Sequence, residues 1–388
     1  MFTIRPDLRF LNHGSFGSCP EPVRSRQREV VDALERDPIW FMAGKLEEHL
    51  DRSRARLARF LGANAVDLAF VTNATQGVNA VIRSAEFKPG DQILTTDQAY
   101  NACANALRFV ADRAGAELVV VPIPFPIKSP DQVVEAIVDA VTPRTRLAMI
   151  DHITSSTGLV LPIETIVREL EGRGVRVLVD GAHAPGMVPL DLNALGASYY
   201  AGNCHKWVCA PKGAAFLHVR EDLRDEVRPT SISHGANMED PNRSRFHLEF
   251  DWCGTFDPSP WICIETAIDV MDATYGGWDA IRDGNRQNAL AGQALLCESL
   301  GIDKPAPAEM IGALAAVPLG NLGEEKSPHK YLPAPLALVL RNKHKIEVPV
   351  FPWPAWPDLL LRISMQRYNT LEDVEALCAA LKEEGVAR

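Results

Sequence analysis

The rhythm of apolar and polar positions changes near Val66. Before it, Leu46, Leu50, Leu57 and Leu61 fall on one helical stripe, which Gly62 closes as a C′ residue. An earlier helix opens at Glu21-Pro22, with proline in its first turn. The segment from Phe10 to Gly17 reads Phe-Leu-Asn-His-Gly-Ser-Phe-Gly, a short strand entering a glycine-rich turn. Beyond Val66, short apolar runs alternate with amphipathic ones. The pattern predicts strands over 67–72, 92–96, 117–123, 146–151 and 175–180, and helices over 76–84, 101–114, 131–141 and 162–171. Strands that are apolar on both faces belong at the centre of a mostly parallel sheet flanked by helices, so the fold class is α/β.

After Tyr199 the pattern is more β-like, with one strand leading to Lys206 and another over 214–219. Residues 228–250 read as polar and irregular, and 260–271 as a helix that bridges two domains. Strands are expected over 336–340 and 359–364. The proline-rich stretch 333–357 reads as structured loops, not a linker. The last helix starts at a capping box of Thr370 and Asp373, and Val374, Leu377, Cys378 and Leu381 form its buried face. No internal repeat or low-complexity segment is seen.

A chain of 388 residues suggests roughly two domains. Hydrophobic content of 46% and charged content of 23% fit a globular enzyme. A formal net charge of −10 argues against nucleic acid or an anionic membrane as partner. Residues 1–9 carry charges and Pro6 but no apolar signal core, and no run of about 18 apolar residues suggests a membrane span. The eight cysteines, at 19, 103, 204, 209, 253, 263, 297 and 378, form no CxxC pair and no zinc spacing. Free thiols and a cytoplasmic location are expected.

Candidate chemistry centres on Asn203-Cys-His-Lys206-Trp207. The lysine sits among small and apolar residues, where poor hydration lowers an ammonium pKa and frees an amine nucleophile for a carbonyl. The plain alternative is a surface lysine between two strands. Val177-Leu-Val-Asp180 ends a buried strand on an acid, at the edge where open α/β sheets bind ligands. Asp180 also suits a turn or helix cap. Thr72-Asn-Ala-Thr-Gln-Gly77 joins a strand to a helix. It is either a phosphate site built from first-turn N–H groups or an ordinary cap at Thr75.

Taken together, Asp180-x-x-His183, His205-Lys206, Asn73-Ala74-Thr75, Leu361-Arg-Ile-Ser364 and Tyr368-Asn-Thr370 resemble the class V aminotransferase family of fold-type I pyridoxal-phosphate (PLP) enzymes. Leu11–Gly17, Trp252-Cys-Gly-Thr255-x-Asp257 and Ile346–Val350 look closest to its isopenicillin N epimerase-like branch. The resemblance runs over nearly the whole chain. It implies an N-terminal segment 1–20 that joins the small domain or active site, a large PLP-binding domain 21–258, and a smaller α+β C-terminal domain 259–388. It implies that Lys206 carries the cofactor as a Schiff base and later acts as base at Cα. Asp180 would pair with the ring nitrogen, His183 would lie near the phenolic oxygen, and Tyr100 would stack on the ring. Ala74, Thr75 and His205 would hold the phosphate, with Gly254 and Thr255 reaching it from a neighbouring subunit of a homodimer. Arg362 would clamp a substrate carboxylate.

Two departures stand out. Where the family often has Asn, the loop reads Thr154-Ser155-Ser-Thr-Gly158, so Ser155 takes that place. Residues 346–361 hold no cysteine, which sets the chain apart from persulfide-forming cysteine desulfurases. The expected reaction is epimerisation or racemisation at Cα of an amino acid or amino-acid-containing metabolite, with Tyr100 or His13 as the second proton donor. A C–S or other β-lyase, an aminotransferase and a non-catalytic PLP-binding protein are the alternatives.

Overall fold

The computed structural model describes residues 1–327 and 334–387. Seven strands form the main sheet, in the order Leu68–Val71, Ala215–Val219, Tyr199–Asn203, Arg176–Gly181, Thr145–Asp151, Gln92–Thr96 and Glu117–Val121. Ala215–Val219 runs against both its neighbours, and every other adjacent pair is parallel. Four of these strands are buried along their whole length, so both faces need cover. On one face the helices Ala74–Ser84 and Asn101–Ala114 bring Val78, Val81 and Leu107 against Ile93, Met149 and Leu178. On the other, Ile166, Val167 and Leu170 of the helix Ile163–Glu171 join the core of Ile150, Val177 and Val179.

A second, antiparallel sheet has the order Val350–Pro352, Asp358–Ser364, Leu314–Asn321. The helices Trp278–Leu300 and Leu371–Glu383 pack on it so closely that a Cβ on Gly292 would lie 2.8 Å from Ile363 and 3.1 Å from Val374. The expected capping box at Thr370 and Asp373 is present.

Three expectations are corrected. Residues 336–340 are helical, within Pro335–Asn342: the run Pro-Leu-Ala-Leu-Val-Leu fits either period, and proline in the first turn with good helix formers behind it favours the helix. Pro333 lies outside the described residues. The helix expected over 260–271 is two, Ser259–Ile262 and Ile264–Tyr275. The irregular stretch 228–250 ends in a helix, Arg245–Phe250, capped by the Ser244 hydroxyl, which accepts the His247 N–H at 3.2 Å.

The N-terminal segment is tied to the C-terminal part. Arg9–Phe10 pairs in parallel with Ile346–Glu347, and Asn12 bridges to Ser364. It then turns at Gly17 (φ +70°), where a Cβ would lie 2.1 Å from the His205 carbonyl oxygen and 3.0 Å from the Lys206 Cα. Gly17→Ala combines this clash with an unfavourable φ. It is expected to cost at least about 1–3 kcal/mol, seen as a lower urea midpoint at unchanged slope.

Candidate active site

Six of the seven strands point their C-terminal ends to one edge of the main sheet, and the candidate residues gather beyond it. Lys206 lies on the tight connection between Tyr199–Asn203 and Ala215–Val219. The N–H groups of Cys204 and His205 both donate to the Ala214 carbonyl, at 2.9 and 3.1 Å, and Ala210 N–H donates to Cys204 at 3.0 Å. Fully buried Trp207 anchors the turn. Gly186 makes room for it: a Cβ there would lie 2.7 Å from the Trp207 carbonyl carbon.

The Lys206 Nζ lies 3.0 Å from His183 Nε2. Trp207 Nε1–H donates to His183 Nδ1 at 3.4 Å, which assigns the His183 proton to Nε2. That N–H can then donate to the lysine only if the amine is neutral. Burial moves the site toward that state: it pushes the Lys206 pKa down to about 8 against the pull of Asp180, so the amine is mainly neutral above that pH, and it drives His183 well below its ordinary value.

Asp180 is 2% exposed at the end of its strand. Its Oδ1 accepts the Ala182 N–H at 3.0 Å and its Oδ2 accepts the Cys103 thiol at 3.2 Å. Burial raises its pKa, so the ionised form needs a cation beside it. At the neighbouring helix start, Asn73 caps Gln76 N–H at 2.9 Å. Ala74 departs from the phosphate role expected of its N–H, because that group donates to Asn203 Oδ1 at 2.8 Å. Thr75 follows it in the first turn. His205 donates Nδ1–H to the Ala214 carbonyl at 3.1 Å, and burial lowers its pKa to about 4.

Tyr100 precedes the helix Asn101–Ala114 and is 46% exposed. It lines a cavity of about 940 Å³ with Ser155, Arg362, Ser15, Phe351 and Trp353. Arg362 reaches this cavity from the strand Asp358–Ser364 and is 3% exposed. Its Nη1 donates to the Ser155 carbonyl, its Nη2 lies 3.5 Å from Ser15 Oγ, and its Cζ is 5.9 Å from the Phe351 ring. Among the described residues it has no ion pair and its buried Nε has no acceptor. Burial lowers its pKa to about 10. A ligand carboxylate would supply the missing counter-charge.

His13 is not part of this cavity wall. It is fully buried under the lysine turn, with Nε2 2.9 Å from the Lys206 carbonyl and Nδ1 2.8 Å from the Tyr368 hydroxyl. Both nitrogens are engaged and burial lowers its pKa to about 3, so neither substrate binding nor proton donation fits it. Gly254 and Thr255 line a separate cavity of about 210 Å³ with Thr72 and Gln76. Cys103 and Asp151 are not singled out by the sequence, and Asn203, the first residue of the lysine stretch, gains its role only from the Ala74 contact. Asp151 carries the same signal as Asp180, an acid ending a buried strand.

A buried lysine of lowered pKa, a buried acid in need of a cation and an arginine without a counter-ion among the described residues fit a phosphorylated pyridine aldehyde and an amino-acid carboxylate. Such a site in this fold is that of a PLP-dependent enzyme. The sequence profile described as "Aminotransferase class-V" matches residues 39–377, and the chain belongs to that family. It is 38% identical to the isopenicillin N epimerase of Amycolatopsis lactamdurans, covering 98% of this chain and 96% of the relative. Identity is 33% to the enzyme of that name from Streptomyces clavuligerus, over 97% and 95%. It is 31% to putative L-cysteine desulfhydrase 1 of Oryza sativa subsp. japonica, over 96% and 82%. Among solved structures, a complex of the cystine C–S lyase C-DES superposes with a TM-score of 0.79 at 22% identity, over 97% of each chain. The Escherichia coli cysteine desulfurase CsdA gives 0.79 at 20%, over 98% and 96%. These two likenesses concern the fold.

The lowered lysine pKa gives a testable pH dependence. Only the neutral amine adds to an aldehyde. The rate at which apoprotein captures PLP should therefore rise about tenfold per pH unit below about 8 and level off above it. Stopped-flow absorbance at fixed cofactor checks this, and a flat rate from pH 6 to 9 would contradict it.

Proposed function

We propose that this enzyme acts at Cα of an amino acid or an amino-acid-containing metabolite and catalyses epimerisation or racemisation. The observation that carries the reading is Arg362, a buried guanidinium without an ion pair among the described residues, on the cavity that Tyr100 and Ser155 share. The likeness to two isopenicillin N epimerases over nearly the full chain supports the reaction type.

Bound PLP supplies an electron sink that makes the Cα–H of an attached amino acid acidic. Lys206 would hold the aldehyde and, once freed, would take the Cα proton, a role that its lowered pKa suits. Asp180 would hold the proton on the ring nitrogen, and His183 would sit by the phenolic oxygen. Ser155 stands on the loop beside it. Thr75 and His205 would hold the phosphate, and the anion would raise the His205 pKa. Arg362 fixes the substrate carboxylate and with it the direction of the Cα–H bond. The opposite proton donor is Tyr100, whose phenol is protonated at neutral pH by its ordinary pKa of about 10 and is pushed further up by burial. Gly254 and Thr255 complete the phosphate site across the interface of a homodimer. Such an interface would also cover Ile39 and Trp40, which are 79% and 60% exposed in the single chain.

A second reading, C–S β-lyase, is favoured by the desulfhydrase-named relatives. It differs from persulfide chemistry, because residues 346–361 lack a cysteine and Cys297 and Cys378 lie in helices. Amino acids incubated with the enzyme in deuterium oxide distinguish the cases. Epimerisation gives deuterium at Cα with loss of optical purity in recovered substrate. Keto acid and ammonia from a cysteine derivative, without racemised substrate, would overturn it in favour of the lyase. A stable pyridoxamine form would indicate transamination.

A further inference from the structure

Asp180 has a neighbour that the proposed mechanism does not use. Asp151 ends the adjacent parallel strand in direct register with it, so the two side chains leave the same face of the sheet at the strand spacing of roughly 4.8 Å. Asp151 is 3% exposed, and its buried Oδ2 has no hydrogen-bond partner among the described residues. Two ionised carboxylates this close, away from water, repel strongly, and an ionised oxygen without a donor adds a further cost.

The charged and titratable groups around Asp151 are few. Asp180 faces it from the next strand, Cys103 from the helix Asn101–Ala114 and Lys206 from the turn beyond, while the Tyr100 backbone N–H at the helix start interacts with its carboxylate. The Cys103 thiol already donates to Asp180 Oδ2. Burial and the Asp180 charge push the Asp151 pKa well up, and they outweigh the backbone N–H groups of Tyr100 and Asp151 and the Lys206 charge, which oppose them.

We propose that Asp151 is a positioning residue: a neutral carboxylic acid whose O–H dipole faces Asp180, so that Asp180 is the single negative charge beside the cofactor ring and its hold on positive charge is damped. The inference rests on the PLP reading for its role, but not for its protonation state. Of the two acids, Asp180 meets the ring and Asp151 acts through it.

Infrared difference spectra of wild type against Asp151→Asn, taken on apoprotein and holoenzyme at pH 8, test the first half. A protonated-carboxyl C=O band that shifts in deuterium oxide should be present in wild type and absent in the variant. Its absence from wild-type apoprotein would overturn the proposal. The absorbance of bound cofactor against pH tests the second half. Asp151→Asn, a permanently neutral donor, should leave the midpoint within about twofold in proton concentration. Asp151→Leu removes the dipole and should raise the midpoint by about one pH unit, because an undamped Asp180 holds positive charge more firmly. An unchanged midpoint in Asp151→Leu, or a shift in Asp151→Asn as large as in the leucine variant, would overturn the role. If wild type forms no chromophore, the PLP reading fails while the infrared result still reports on Asp151.

Discussion

Lys206→Ala is expected to lose the borohydride-fixed cofactor adduct and to lower turnover by roughly 10²–10⁴-fold through the proton transfer alone. The geometry states why no neighbour can substitute. His183 presents Nε2–H to the lysine, and Trp207 occupies its other nitrogen, so the imidazole has no lone pair to offer. His205 gives its Nδ1–H to the Ala214 carbonyl and belongs to the same short turn. Small exogenous amines should restore part of the activity, with a pH dependence that follows the added amine. A variant that kept the reducible adduct would place the cofactor on another lysine. Lys212 is one such test case, since its Nζ donates at 2.9 Å to the carbonyl of Gly17, which packs against the Lys206 turn.

Arg362→Ala should separate binding from stability. Leaving a ligand carboxylate buried without its partner costs about 3–5 kcal/mol, or roughly 150- to 5,000-fold in kcat/KM. The free protein should not lose stability on the same scale. Arg362 is itself a buried charge without an ion pair among the described residues, so its removal relieves a desolvation cost and vacates only the contacts to the Ser155 carbonyl and Ser15. Steady-state kinetics beside thermal melts of the apoprotein check both halves. Arg362→Lys should recover little, because one ammonium cannot replace a planar two-point donor. Unchanged kcat/KM in the alanine variant would mean that the carboxylate is held elsewhere.

Much of this site was readable from the sequence because its parts end buried strands or interrupt them. Asp180, Lys206 and Arg362 each place a charge in an apolar run, and such a charge is costly unless something binds it. The alternating pattern between Val66 and Asp180 gave strands and helices whose ends moved by only a few residues. What the pattern could not give was contact between distant segments. His13 looked free in Asn-His-Gly-Ser, yet it meets Tyr368 and the Lys206 backbone. Ala74 looked like an open donor until Asn203 was found opposite it. The helix Pro335–Asn342 was misread because a continuous apolar run carries no period. Asp151 was passed over although it sits on a predicted strand end, because no partner for it was visible in the sequence.

The turn that bears Lys206 is held from below by residues near both termini. His13 and Gly17 press on it, and His13 in turn leans on Tyr368. Truncating the Tyr368 ring would therefore loosen the lysine turn through His13 without touching any group that meets the vitamin.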